Sequence, residues 1–277
     1  MAATFLSSRP RGAYTCVRFD STGRLLERDV HVNRICDSVC TIFGDSIPKD
    51  KDAFVEGLRK TAIDKFDKFD KFHGNVGMML VMLVYLESGV TIWEENAFPI
   101  PVKRTTIEKV VLGVGGVSRR NPVAKDTAWI DERKPLEDMK KATKADEVLL
   151  VEQNQAGEII LLEGLVTNLF VLLNDDQTLV TAPSDLVLPG SMRKTVMTAA
   201  LATNFKVLER APVWSERTSW RAAFLTSVAK PCCFIHTLQR FEQDEDQPAE
   251  SQVLQINNAA IERLCNAVDA YIDVTYV

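Results

Sequence analysis

Residues 159–173, IILLEGLVTNLFVLL, constrain the fold more than any other stretch of the chain. Two short apolar runs flank a polar turn, a pattern typical of two buried strands. The first run ends in a carboxylate, Glu163, and a buried carboxylate is stable only against a cation or several hydrogen-bond donors. The stretch therefore predicts paired strands near 158–163 and 168–173 and a buried partner for Glu163.

Apolar periodicity predicts further strands and helices on both sides of this pair. Strands are expected near 13–19, 76–87, 90–94, 108–114, 147–152, 178–181, 206–209, 222–228 and 232–238. Helices are expected over 28–43, 52–69 and 129–143, after the LPGS sequence, and from 251 onward. Because the two kinds of element interleave without strict βαβ order, the chain is predicted to have a mixed α/β (α+β) fold. The stretch 113–122, GVGGVSRRNP, is predicted to join two domains, a smaller one at 1–117 and a larger one at 118–277.

The composition excludes several classes of protein. The 277 residues carry a formal net charge of −5 and their Lys and Arg residues are scattered, so no nucleic-acid surface is predicted. The longest apolar run, residues 76–86, is shorter than the roughly 20 residues of a membrane-spanning helix and predicts a buried strand. The Ser- and Arg-rich opening before the first strand is short, so we expect no organelle-targeting segment.

The cysteines and histidines form no pattern that predicts a metal site or a disulfide scaffold. The six cysteines include no C-x-x-C, and the three histidines lie far apart in sequence. Cys36 and Cys40 are four residues apart on a predicted helix and could share a metal ion, but we expect them to be small apolar fillers. A reducing, cytoplasmic setting without a metal site is therefore predicted.

A helix with a basic start is predicted within residues 186–205, LVLPGSMRKTVMTAALATNF. A Pro-Gly turn precedes Ser191, the expected N-cap, and the first turns contain Arg193 and Lys194 but no acid. Helices usually carry acids at the N-terminus, where the free N–H groups leave a positive end. Those donors suit a phosphate group, although an ordinary N-cap would account for the same residues.

Two basic residues are candidates for a functional site. Arg34 lies beside Asp37 on a predicted helix, where a surface ion pair would be worth roughly 0.3–0.5 kcal/mol. Lys125 follows two apolar residues directly after the stretch that is predicted to join the domains. The other nearby lysines belong to a charged helix or flank a strand. A lysine in a cleft between domains can lose hydration, which frees its amine for a Schiff base.

Glu163 allows two interpretations. Its carboxylate could bind nearby turn amides or an arginine elsewhere in the chain. It could instead bind a protonated heterocyclic nitrogen, the pairing that pyridoxal phosphate needs in order to accept electrons.

The order of these features resembles the class IV aminotransferases, the fold-type IV pyridoxal-phosphate enzymes. That family includes branched-chain and D-amino acid aminotransferases and aminodeoxychorismate lyase. EGLVTNLF is similar to the family's E-G-x-x-x-N-x-F, and LPGSMR to its L-P-G-x-x-R. HVNRICDS is similar to H-x-x-R-L-x-x-S, and ADEVLLV to the strand after the lysine-bearing segment. The resemblance extends from Gly12 to His236 and implies a two-domain fold with the cofactor between the domains.

The resemblance also implies a role for each candidate residue. Lys125 would be the catalytic residue, forming the Schiff base with pyridoxal 5'-phosphate and moving the proton of the substrate's Cα. Glu163 would bind the pyridinium nitrogen, so we expect its partner to be the cofactor rather than a protein group. Tyr14 would line the substrate pocket.

The phosphate of the cofactor would be bound by residues from several elements. The resemblance assigns this role to Arg34 and to the backbone N–H groups of Ser191 and Met192. Thr226, or Ser227 beside it, would supply a further hydroxyl.

The resemblance implies an aminotransferase that acts on a small amino acid and a 2-oxo acid, and a homodimer. Two departures leave other functions open. Trp129 and Ile130 stand where familiar members have Asn or Tyr, and AKDTAWIDERK is closer to a divergent eukaryotic group. The alternatives are a β-elimination lyase of the aminodeoxychorismate type and a non-catalytic member that binds the cofactor. A dinucleotide-binding role for GVGG is weak, because the third glycine is missing.

Overall fold

The computed structural model confirms a mixed α/β fold and describes residues 1–20, 22–68, 78–100, 105–114, 118–241, 248–255 and 259–275. Its helices are α1 (Ala2–Ser7), α2 (Arg28–Phe43), α3 (Lys51–Asp67), α4 (Trp129–Glu132), α5 (Lys134–Ala142), α6 (Ser191–Ala202) and α7 (Ala259–Val274). Its strands are β1 (Ala13–Phe19), β2 (Met78–Glu87), β3 (Val90–Pro99), β4 (Thr105–Leu112), β5 (Glu147–Gln153), β6 (Ile159–Gly164), β7 (Asn168–Leu173), β8 (Thr178–Thr181), β9 (Lys206–Glu209), β10 (Trp220–Thr226), β11 (Cys233–Arg240) and β12 (Glu250–Val253). No helix in these ranges is both long and apolar enough to cross a membrane.

The chain divides into two compact units. The first unit comprises Met1–Val102, Val123–Asp131 and Ile272–Val277, and the second comprises Lys103–Pro122 and Glu132–Tyr271. This division differs from the predicted one at residues 117 and 118. Strand β4 belongs to the second unit because it pairs in parallel with both β11 and β5. The segment that contains Lys125 belongs to the first unit.

The first unit is built on an antiparallel sheet with the strand order β1-β2-β3. Apolar residues at helical spacing on α2, such as Val32, Ile35 and Val39, are buried in one core with Ala13 and Val17 of β1. Side chains alternate along a strand. Tyr14 and Cys16 therefore lie on the face of β1 opposite to Ala13 and Val17.

The second unit contains a larger sheet with the order β10-β11-β4-β5-β6-β7-β8-β9. Strand β7 also pairs with β10, so the six strands β10, β11, β4, β5, β6 and β7 form a closed ring. Strands β6 and β7 are antiparallel, and Glu163 pairs with Asn168 across the turn between them. The predicted pair of strands in residues 159–173 is therefore confirmed.

Two predicted helices differ from the structure, and one helix was not predicted. The helix expected over 129–143 is divided into α4 and α5, because Pro135 is accepted only in the first turn of a helix. A helix was expected from residue 251, but Glu250–Val253 is strand β12, antiparallel to β11, and α7 begins at Ala259. The short helix α1 was not predicted. The sequence DKFDKFDKF at 64–72 repeats three residues, and its part from 69 onward lies outside the described residues.

All six cysteines lie within the described residues and are free thiols. Cys36 is buried in the core of the first unit, whereas Cys40 is partly exposed. Within the described ranges, no three His, Cys, Asp or Glu side chains lie close enough together to bind a metal ion.

Candidate active site

Lys125 is held against β1 and α2 in the first unit. The N–H of Tyr14 donates to the carbonyl oxygen of Lys125 at 2.9 Å, and the N–H of Lys125 donates to Ser38 Oγ at 3.1 Å. The Nζ atom of Lys125 lies 4.6 Å from the centroid of the Tyr14 ring, within the range of a cation–π contact. The structure thus brings together the predicted catalytic lysine and the predicted substrate-lining tyrosine.

The residues after Lys125 are bound to the start of β1. Gly12 and Thr127 exchange two hydrogen bonds, one from the Gly12 N–H to Thr127 Oγ1 at 2.9 Å and one from the Thr127 N–H to the Gly12 oxygen at 3.0 Å. A Cβ at Gly12 would lie 2.4 Å from the carbonyl oxygen of Val84, so only glycine allows this close approach. The position of the Lys125 segment therefore depends on backbone contacts to β1.

Arg34 is a buried residue of α2, only 9% exposed. The interpretation as a surface ion pair with Asp37 is therefore wrong. Burial lowers the pKa of the Arg34 guanidinium, while nearby Cys16, Glu27 and Tyr14 act to raise it. Arg34 thus lies close to two residues of β1, the strand against which Lys125 is held.

His31 belongs to the same part of the first unit, and sequence reasoning missed it. Its Nδ1 atom is hydrogen-bonded to Thr15 Oγ1 at 2.8 Å. Burial holds the pKa of His31 well below its usual 6.5, and the positive charges of Arg34 and Lys125 lower it further. The two cations therefore act on the same buried region. The HVNRICDS motif was the available signal for His31, but it does not reveal Thr15 as the partner.

Glu163 is buried in the second unit and is bound by protein groups. Arg119 Nε donates to Glu163 Oε1 at 3.1 Å, and the two side chains are only 6% and 3% exposed. The Leu188 N–H and Asn168 Nδ2 donate to Oε2 at 3.2 and 3.4 Å. The expectation that no protein group pairs with Glu163 is wrong, and the alternative of an arginine elsewhere is correct. The cofactor role of Glu163 stays a prediction.

Asn168 connects the Glu163 turn to the loop before α6. Besides its contact with Glu163, its Nδ2 donates to the Leu188 oxygen at 2.8 Å. A Cβ at Gly190 would lie 2.2 Å from Asn168 Oδ1, so this loop packs directly on the amide of Asn168. Glu163 and the start of α6 therefore form one hydrogen-bonded structure.

The N-cap of α6 is Gly190, and Ser191 is the first helical residue, so the predicted N-cap role of Ser191 is wrong. No described side chain forms a cap hydrogen bond at this helix, and its first turn contains no acid. Ser191 and Met192 are buried, at 4% and 2% exposure. The Arg193 guanidinium donates to the Ala182 oxygen at 2.8 Å and to Glu209 Oε2 at 2.9 Å. The first turn of α6 thus carries the positive end of the helix dipole with no acid to offset it.

Thr226 is brought next to this structure by strand pairing. It is the register partner of Asn168 in the β10–β7 pair, and Asn168 is in turn the partner of Glu163. Thr226 Oγ1 donates to the Pro231 oxygen at 2.6 Å. Ser227 closes the same turn, since its N–H donates to the Lys230 oxygen at 2.8 Å. The structure thus places Glu163, Thr226 and the start of α6 together in the second unit.

The amino-transferase class IV family matches residues 12–237, which include both groups of residues. The chain belongs to the class IV aminotransferase family. No curated protein matches its sequence.

Solved structures share the fold of this chain. A branched-chain aminotransferase from Thermoproteus uzoniensis has a TM-score of 0.69 at 19% identity, covering 95% of this chain and 86% of its own. A Legionella pneumophila protein assigned as a 4-amino-4-deoxychorismate lyase has a TM-score of 0.67 at 18% identity, covering 94% of this chain and 91% of its own. The pyridoxal-phosphate-bound form of a hypothetical aminotransferase from Mycobacterium tuberculosis has a TM-score of 0.65 at 15% identity, covering 97% of this chain and 91% of its own.

The class IV chain departs from the expected pattern just after Lys125. Trp129 begins α4 and is only 2% exposed, which makes it one of the largest fully buried side chains. Ile130 is partly buried. A large buried indole thus stands at position 129, where the resemblance led us to expect Asn or Tyr.

Proposed function

We propose that this class IV aminotransferase moves an amino group between an amino acid and a 2-oxo acid, and that Lys125 binds the cofactor covalently. Family membership implies pyridoxal phosphate as the cofactor. The observation that carries the proposal is the position of Lys125, whose backbone is hydrogen-bonded to Tyr14 and Ser38 while its amine lies over the Tyr14 ring. A fixed backbone with a directed amine is what a covalent attachment point requires.

The residues present fit the two charged ends of pyridoxal phosphate. Arg34 and the backbone N–H groups of Ser191 and Met192 would bind the phosphate, because a buried guanidinium and an uncapped helix start both favour an anion. The Thr226 and Ser227 hydroxyls would add hydrogen bonds.

When bound, pyridoxal phosphate supplies a ring that accepts the electron pair released at the substrate's Cα. Lys125 Nζ would take the Cα proton and return it to the product. Glu163 would accept a hydrogen bond from the ring nitrogen and keep the proton on that atom. Arg119, Asn168 and the Leu188 N–H would fix the direction of its carboxylate. Tyr14 would line the space occupied by the amino acid.

Spectroscopy of the purified protein with pyridoxal phosphate tests the proposal. An aminotransferase should change its visible absorbance on addition of an amino acid and recover it on addition of a 2-oxo acid. A protein that binds the cofactor but responds to no amino acid would support the non-catalytic alternative. The buried Trp129 is the observation that favours that alternative.

The lyase alternative predicts a different dependence on substrates. A lyase needs no amino acceptor, so its turnover of an amino substrate should continue without a 2-oxo acid. An aminotransferase should stop after one turnover under the same conditions. The fold shared with the Legionella protein gives this alternative its support.

The family resemblance further leads us to propose a homodimer. Light scattering of the cofactor-bound protein at micromolar concentration should give twice the 31.0 kDa mass of the chain. A monomeric mass with the cofactor bound would contradict the dimer.

A further inference from the structure

Helix α2 directs three buried side chains toward the Lys125 region. His31, Arg34 and Ser38 follow one another at spacings of three and four residues, so they lie along one face of the helix. His31 and Ser38 are each 1% exposed. These two therefore lie on either side of Arg34 along the helix axis.

Each of the two outer residues makes a hydrogen bond to a different part of the site. His31 Nδ1 binds Thr15 Oγ1 at 2.8 Å, and Ser38 Oγ accepts from the Lys125 N–H at 3.1 Å. Thr15 directly follows Tyr14 on β1, and the Tyr14 ring lies beneath the Lys125 amine. The two hydrogen bonds thus connect one helix to both partners of the cation–π contact.

The directionality of these bonds distinguishes them from the rest of the α2–β1 contact. The apolar contacts of Ile35 and Val39 with β1 are non-directional and tolerate small shifts of the helix along the strand. Buried hydrogen bonds tolerate much less, because a displaced donor or acceptor loses its partner where water cannot replace it.

We infer that Ser38 and His31 are positioning residues that hold Lys125 and Tyr14 in a fixed relation to Arg34. They bind neither cofactor nor substrate and act through Lys125, Thr15 and the helix that carries Arg34. The catalytic consequence rests on the proposed function, whereas the positioning of Lys125 can be measured without it.

The neutrality of His31 is consistent with this role. Burial and the charges of Arg34 and Lys125 hold its pKa well below the usual value, so it remains uncharged at neutral pH. An uncharged imidazole can bind Thr15 without adding a third positive charge beside Arg34 and Lys125.

The test compares loss and rescue of single hydroxyl groups. Ser38→Ala and Thr15→Val remove one side-chain partner each, and Ser38→Thr and Thr15→Ser restore a hydroxyl. Thr41→Ala is the matched control, because Thr41 lies on α2 with an exposed hydroxyl that binds only the Asp37 oxygen of its own helix among the contacts described. Unfolding by urea establishes that each variant is folded before the other measurements.

Two readouts are needed. In the cofactor-free protein, hydrogen exchange of the Lys125 amide should become roughly tenfold faster in Ser38→Ala, the size of one buried hydrogen bond. In the cofactor-bound protein, Ser38→Ala and Thr15→Val should each lower the rate of the amino acid half-reaction about tenfold without raising KM. Ser38→Thr and Thr15→Ser should recover most of this loss.

An equal response of Ser38→Ala and Thr41→Ala in both measurements would overturn the inference. Slower turnover with unchanged exchange of the Lys125 amide, or no rescue by the restored hydroxyl, would also overturn it. If the protein proves to bind no pyridoxal phosphate, the proposed function fails, and the exchange measurement alone then decides the positioning of Lys125. If Ser38→Ala does not fold, Thr15→Val and Thr15→Ser decide through the half-reaction.

Discussion

The residues around Lys125 and those around Glu163 differ in how charge is arranged. In the first unit, burial lowers the pKa of His31 and the positive charges of Arg34 and Lys125 lower it further, so two cations act on one region. In the second unit, the negative charge of Glu163 is paired directly with Arg119 and receives further hydrogen bonds from Asn168 and the Leu188 N–H. The first region is arranged to attract an anion, whereas the charge of Glu163 in the second is neutralised by a protein group. Removing a charge should therefore weaken binding in the first region and destabilise the fold in the second.

The largest effect is expected at Arg119. Arg119→Met removes the cation from a buried ion pair and leaves the Glu163 carboxylate without it, which should lower the free energy of unfolding by about 3–5 kcal/mol. Urea denaturation measures the loss. The adjacent Arg120, whose side chain is 85% exposed beside Glu132, is the control. An equal loss in Arg120→Met and Arg119→Met would contradict the buried pair as the cause.

Glu163→Gln should slow the chemistry more than it weakens cofactor binding. Glutamine keeps the size of the side chain, but it replaces one acceptor oxygen by an NH2 donor and removes the charge that holds a proton on the ring nitrogen. A loss of about 3–4 kcal/mol of transition-state stabilisation corresponds to roughly a hundred- to a thousandfold in rate. Single-turnover spectra at matched cofactor occupancy measure it. If the half-reaction keeps its rate, Glu163 is a structural residue that serves only its contacts with Arg119 and the Leu188 loop.

Arg34→Ala should weaken cofactor retention by roughly tenfold to a hundredfold, since a charge-assisted hydrogen bond to phosphate is worth about 1.5–3 kcal/mol. Equilibrium dialysis of pyridoxal phosphate measures the change, and circular dichroism checks that the cofactor-free protein still folds. Arg28→Ala, at the start of the same helix where Arg28 pairs with Asp67, is the matched control. Unchanged affinity in Arg34→Ala would remove Arg34 from the phosphate site.

The smallest effect concerns His31 and pH. Its folded-state pKa is depressed by burial and then by Arg34 and Lys125, so its contribution to stability is complete above the ordinary pKa of 6.5. As the pH falls below 6.5, the unfolded chain gains a proton that the folded chain does not, and stability decreases. Between pH 7.5 and 5.5 the parent protein should lose about 1.4 kcal/mol more than His31→Gln in urea denaturation. An identical loss in both proteins would mean that His31 is not buried as a neutral group.

Much of the fold was predictable because its signals are local. Strand β1 and helix α2 were predicted with the bounds observed, since their apolar residues repeat at the periods of a strand and a helix. Strand β12 was not, because Glu250–Val253 is polar and its extended form depends on pairing with β11. The N-cap of α6 was displaced by one residue, a difference that depends on the backbone angles of Gly190 alone.

The partners of the site residues were harder to predict than the residues themselves. Arg119 and Arg120 are neighbours of the same type, and only the tertiary fold decides which one is buried against Glu163. Ser38 and His31 belong to the HVNRICDS motif of α2, but their contacts with Lys125 and Thr15 join residues distant in sequence.

Reduction with borohydride followed by peptide mapping shows which lysine is attached to pyridoxal phosphate, and we expect it to be Lys125. Trypsin does not cleave after a modified lysine, so the pyridoxyl mass should appear on the uncleaved peptide 121–133, which contains Lys125 as its only lysine. Lys134 lies just outside this peptide and serves as an internal control. We expect the label on peptide 121–133 and its loss in Lys125→Arg. A label on Lys134 or any other lysine, with peptide 121–125 recovered unmodified, would contradict it.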